Sequence, residues 1–155
     1  MGEILQQLLL EEQELQFMGF NEDVAWELGN TFVAQAVKDN LSITVDITRG
    51  EHQLFHASRP GTSADNDEWV KRKIRLVNRF GHSSFYIGQS LKSKGRSLEE
   101  VYSISESLYA PHGGCFPIFV KGTGMVGTIT VSGLPQEEDH RLVVNTIREY
   151  LRSHK

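Results

Sequence analysis

The sequence predicts an α+β domain built on an antiparallel sheet, and three observations carry that prediction. Short β-branched runs come in pairs joined by glycine turns, as hairpins do. Longer segments with apolar residues at helical spacing lie before, between and after them. The elements follow one another too tightly for a linker, so residues 1–155 are expected to form one domain, with 1–20 as an N-terminal helical extension.

In chain order, Glu3 to Gln16 predicts a short helix that "FMGFN" breaks. Asn21 is a suitable N-cap for a second helix to about Lys38, because its side chain can accept a free backbone N–H of the first turn. In that helix Val24, Leu28, Phe32 and Ala36 make one apolar stripe, and Trp26, Val33 and Val37 make a second. A helix apolar on two sides is either central or covered by another subunit. "SITVDITR" alternates with period two, and Gly50-Glu51 turns it into its hairpin partner "HQLFHAS". "RPGTSADNDEWVKRKIRLVNRF" is a loop entering a helix to about Phe80, with Asp65 and Glu68 at capping-box spacing. "HSSFYIGQSLKSKG" predicts another short helix, and Leu98 to Tyr102 a third. After Pro111 come two strands, Cys115 to Val120 and Met125 to Val131. A final helix to about Arg152 takes Pro135 as its first residue.

Hydrophobic residues make up 39% and charged residues 23%, ordinary for a globular domain of this length. A net charge of -4 gives no electrostatic ground for a nucleic acid or an anionic membrane as partner. No apolar run reaches the length of a membrane span, and acidic residues stand where a signal peptide has basic ones. With a single cysteine, Cys115, the chain can form no internal disulfide, so the expected location is the cytoplasm.

"VKGTGMVG" has the G-x-G-x-x-G spacing of a dinucleotide site, at Gly122, Gly124 and Gly127. That spacing needs a strand-to-helix junction, and here it joins two strands, so it reads as a hairpin turn. The true junction, "TVSGLPQEEDH", opens its helix with Glu137, Glu138 and Asp139, acids that suit the positive end of the helix dipole and would repel an anion. His140 falls in that helix's apolar stripe, three residues after Glu137. It is either a hydrogen-bonded core residue or one ligand of an E-x-x-H pair. In the preceding long helix Lys71, Arg72, Arg75 and Arg79 form a basic face. Lys73 projects among the apolar residues, either as a stem covering core or as an amine aimed at an anion. "PHGGCFPI" lacks the nucleophile elbow that an oxyanion-hole H-G-G would serve, and Cys115 reads as a small buried hydrophobe. Its paired glycines point to close backbone approach. No nucleophile–base pair or complete metal set assembles, which weighs against an enzyme.

"HGGCFPIFVKGTGMVGTITVSGLPQEEDH" resembles the haem-degrading-domain superfamily, the GlcG/HbpS-like proteins. A G-G-x-x-P-I segment, a strand ending in V-S-G and an acidic helix start carry the likeness, through Gly113, Gly114, Pro117, Ile118, Val131, Ser132, Gly133 and Asp139. The string formed by Asp65, Asn66, Trp69, Arg72 and Lys73 is similar to that of a stand-alone, functionally uncharacterised branch. The match runs from about Asn21 to the C-terminus. It implies a profilin-like fold, with an antiparallel sheet of about five strands and helices packed on it. It also implies homo-oligomers built from dimers and, for some relatives, binding of haem or other tetrapyrroles.

These readings converge on a cytoplasmic, homo-oligomeric protein that binds a small anionic or tetrapyrrole-like ligand; an oligomeric scaffold with no small-molecule ligand is the alternative. The expected pocket takes Asn66, Trp69, Arg72, Lys73, His112, Gly113, Gly114, Ser132, Gly133 and His140. Arg72 or Lys73 would meet the anion, Trp69 would stack, and His112 or His140 would be an axial ligand if the cofactor is haem.

Overall fold

A computed structural model describes residues 2–155. The chain forms α1 (Gly2–Glu14), β1 (Gln16–Phe17), α2 (Glu22–Asp39), β2 (Thr44–Arg49), β3 (His52–Ser58), α3 (Ala64–Phe80), α4 (Ser84–Lys94), α5 (Leu98–Tyr102), β4 (Cys115–Val120), β5 (Gly124–Ser132) and α6 (Gln136–Ser153). The five strands make one sheet in the order β1-β4-β5-β2-β3. Both expected hairpins form, β2–β3 and β4–β5, and β2 and β5 pair antiparallel to join them. The sheet is mixed rather than wholly antiparallel, because β1 runs parallel to β4 at one edge.

That edge is the main departure from the element reading. The first helix ends at Glu14, and Gln16 and Phe17 leave it to pair with Phe119 and Val120. Two residues are too few to show a period, so nothing local marks them as a strand. Elsewhere the boundaries fall within a residue or two of expectation. Asn21 caps α2 by accepting the Val24 N–H at 3.0 Å. The cap of α3 lies two residues earlier than expected: Ser63, in extended backbone, and Asn66 form the capping box, and Asp65 and Glu68 do not. Pro135 occupies the N-cap of α6 rather than its first turn.

Register sorts the two faces of the sheet by chemistry. Val45 opposite Val131 and Ile47 opposite Ile129 lie on one face; Thr44 opposite Ser132, Asp46 opposite Thr130 and Thr48 opposite Thr128 lie on the other. Helices α2 and α6 bury the apolar face, bringing Leu28, Phe32, Val143 and Ile147 into one core with Phe116 and Ile118. The hydroxyl-bearing face lies beneath α3, where Asn66 donates to the Ser132 hydroxyl at 3.2 Å. A smaller cluster of Leu76, Ile87, Leu91 and Leu98 ties α3 to α4 and α5.

Helix α1 docks through two consecutive buried carboxylates. Glu11 pairs with His140 Nε2 at 2.9 Å, while Glu12 accepts the Ser83 backbone N–H at 3.1 Å and pairs with His82 at 2.7 Å. The second stripe of α2 stays on the surface of the single chain: Trp26 is 64% exposed and Val37 55%, with Trp26 resting edge-on against Phe55.

Candidate functional site

The N-terminal turns of α3, the β5–α6 turn and the segment before β4 meet around an open cleft of about 320 Å³. Its walls include Asn66 and Trp69 from α3, His112, and Ser132 to Leu134 from the turn; Lys73 and Asp139 form part of the lining. Of the ten residues expected to share a site, the fold brings Asn66, Trp69, Lys73, His112, Ser132 and Gly133 to this one cleft. A second cleft of about 260 Å³ adjoins it, sharing His112 and Gln136 and adding Lys92, Arg96 and Glu106. The His112 imidazole therefore stands between two recesses.

His112 is half-buried, and its ring sits 5.6 Å from that of Trp69 in an edge arrangement. Burial lowers its pKa, and the nearby Lys73 and Arg72 charges act in the same direction against Glu106. The ring is thus neutral at pH 7, with a lone pair on one nitrogen.

Lys73 and Asp139 are buried together at the inner end of the cleft. The Lys73 ammonium donates to the Val131 carbonyl at 3.0 Å and meets Asp139 Oδ2 at 3.3 Å. Asp139 Oδ1 accepts the Leu134 N–H at 3.0 Å, so one carboxylate closes the turn before α6 and receives the amine. Burial pushes the Asp139 carboxyl up to about 6 and the Lys73 amine down; each partner opposes the other's shift without cancelling it. Asp139 stood in sequence as one of three capping acids and as part of the family motif, not as a buried partner for a cation. Its spacing was the missed signal: it stands four residues before Val143 and eight before Ile147, on the buried face.

The remaining expected site residues lie elsewhere. Arg72 lies over the Trp69 ring, 4.5 Å from its centroid, and hydrogen-bonds the Glu106 carbonyl. Arg75 donates to the Leu108 carbonyl, so two residues of the basic face, Arg72 and Arg75, hold the chain between α5 and β4. Gly113 and Gly114 are close-approach positions behind the wall. A Cβ on Gly114 would lie 2.3 Å from the Val131 oxygen and 2.6 Å from Lys73 Nζ; one on Gly113 would lie 2.2 Å from the Gln136 oxygen. His140 does not line the cleft. It is buried against Phe85 and Phe116, with Glu11 on Nε2 and no partner for Nδ1 among the described residues. No E-x-x-H ligand pair forms, because Glu137 is exposed and bridges to Arg141. Cys115 is buried, and burial pushes its thiol up to about 12, which leaves it inert.

A mixed five-stranded sheet with a recess beside its H-G-G segment defines the class. The chain belongs to the family of HbpS-like haem-degrading proteins, whose model matches residues 20–148. Within that class it is 46% identical to a UPF0303 protein of Streptomyces coelicolor, over 92% of this chain and 91% of that one. It is 44% identical to a UPF0303 protein of Psychromonas ingrahamii, over 96% and 94%. Among solved structures it is similar to the Ybr137w protein, with a TM-score of 0.89 and 33% identity over 97% of this chain and 88% of that one. A PduOC–haem complex shares the fold, with a TM-score of 0.68 at 16% identity over 85% and 94%. The expectation of an α+β fold with a five-stranded sheet and packed helices holds.

Proposed function

We propose that the paired clefts form the binding site of a flat, anionic, tetrapyrrole-like ligand, with His112 as the residue that meets its centre. The observation that carries this reading is the position of His112: half-buried, neutral, and between two adjoining recesses. Haem fits the donor set, since a neutral imidazole is an iron ligand and the Trp69 edge beside it gives an apolar flank. Bound there, haem would supply an iron centre. What the chain supplies is the imidazole, the aromatic wall and charge. In the first cleft Lys73 is paired with Asp139, and Arg72, outside its lining, is held by the Glu106 carbonyl. Lys92 and Arg96 on the second cleft are exposed, and carboxylates of the ligand would lie toward them. Support of a weaker kind comes from the fold shared with a protein solved as a haem complex.

The same proposal includes assembly in the cytoplasm, built from dimers. The uncovered Trp26–Val37 stripe of α2 supports an interface between copies, and the lone cysteine suits a reducing compartment. That stripe also favours the second reading, a scaffold whose function is assembly itself.

An absorbance titration with haemin, followed alongside light scattering, tests both. The expected result is a saturable, shifted Soret band near one haem per subunit, lost in His112→Ala and retained in His140→Ala. A wild-type protein that assembles but gives no shifted band would end the tetrapyrrole reading and leave the scaffold.

A further inference from the structure

Lys73, which projects among the apolar residues of α3, is a buried cation. Its side chain is 4% exposed, Lys73 and Asp139 both belong to the lining of the first cleft, and its one ionic partner among the described residues is Asp139, itself 3% exposed. Gly114 leaves room for that amine, since any side chain there would collide with it. As a neutral amine Lys73 has two N–H groups, which the Val131 carbonyl and Asp139 accept, and its lone pair takes a remaining direction. The first cleft holds about 320 Å³, and Lys73, the cation in its lining, already meets Asp139, so a compact uncharged molecule suits its inner end better than an anion.

We propose that Lys73 and Asp139 form a carbonyl-capture site, at which a small uncharged aldehyde condenses reversibly with the Lys73 amine. This stands apart from the tetrapyrrole reading, since it uses neither His112 nor iron. The step balances within the pair. The neutral amine attacks the carbonyl carbon; a C–N bond forms, and the carbonyl π pair moves to oxygen, which takes the proton carried by Asp139. The new ammonium returns one proton to the Asp139 carboxylate, leaving a carbinolamine. Asp139 then protonates the hydroxyl, which departs as water as the nitrogen pair forms C=N. The products are a protonated imine on Lys73, an Asp139 carboxylate beside it and one water. A buried amine with a neighbouring acid is the arrangement that imine chemistry requires. The directions in which burial moves the two groups also favour the neutral amine and the protonated acid.

The test is reductive trapping on the folded wild-type protein with propionaldehyde and cyanoborohydride at pH 7, read by peptide mass spectrometry. Lys71, exposed on the same helix, is the internal standard. Lys73 is expected to gain a propyl group faster than Lys71, the reverse of the order that their exposures of 4% and 63% would give. Asp139→Asn is expected to slow trapping at Lys73 and leave Lys71 unchanged. Labelling of Lys71 with Lys73 unmodified in the wild-type protein overturns the proposal whether or not the variant folds. Because haemin takes no part, a failed haemin titration leaves this result standing, and the reverse also holds.

Discussion

At the scale of single residues, the cleft region depends on backbones that approach where side chains cannot. Gly114 combines a φ of +135° with a Val131 oxygen that a Cβ would reach at 2.3 Å, so an L side chain there meets both strain and collision. Gly114→Ala is expected to lower unfolding stability by about 2 kcal/mol or more. Gly50, at a φ of +63° with open space around it, incurs only the left-handed penalty, about 1 kcal/mol as Ala. Urea midpoints of the two variants measure the difference, and equal losses would refute the account of Gly114. The glycine pair was legible in sequence as a place of close approach, but its neighbours were not. Lys73 and Asp139 are 66 positions apart, and Glu11 and His140 are 129 apart. Lys73 and His140 stand out in sequence on apolar faces, but Asp139 and Glu11 do not, and no local pattern says what each will meet.

At the scale of elements, helical period and turn chemistry were enough to place nearly every helix and strand. The exceptions are instructive in physical terms. β1 exists only through its partner β4, and the α3 cap moved because Ser63 and Asn66 satisfy each other's backbone groups. How α3 is fastened to the sheet was not legible at all. His56 on β3 bridges Asp46 of β2 and Asp67 of α3, both at 2.9 Å. Burial lowers the His56 pKa, but the two carboxylates together outweigh it and raise it above 6.5. With the folded pKa raised, the folded state holds the proton more tightly than the unfolded one. The stability this clamp contributes is therefore complete below pH 6.5 and lost as pH rises through the folded value. The expected outcome is a urea midpoint that falls between pH 6 and pH 8 in the wild type, and a flatter profile in His56→Gln. Parallel profiles would show that the bridge has no thermodynamic role.

At the scale of the whole molecule, one sheet face is apolar and closed by α2 and α6, while the other carries hydroxyls and charge beneath α3 and opens into the clefts. The family resemblance in the sequence led to this architecture, and the matched family bears it out. The site is different: backbone and motif gathered six of the expected residues, whereas whether a cation is free or already paired depends on the finished fold. Assembly is argued at this scale too. Trp26→Glu places a charge in the exposed α2 stripe and is expected to shift light-scattering mass toward smaller species, with the far-ultraviolet dichroism of the subunit unchanged. An unchanged mass would move the interface elsewhere.

The docking of α1 also carries a consequence for how the chain matures on the ribosome. The segment of α1 and β1 holds Glu11 for His140, Glu12 for Ser83, and Gln16 and Phe17 for a strand that begins at Cys115. Each of those receptors follows α1 in the chain: Ser83 comes 71 positions after Glu12, and β4 and His140 come later still, so Glu11, Gln16 and Phe17 have no partners until β4 and α6 are made. The β2–β3 hairpin and the α3–α4 pair, whose contacts are local, can form in that interval. Strand β1 and the Glu11 contact are then completed after these local units, although they precede them in the chain.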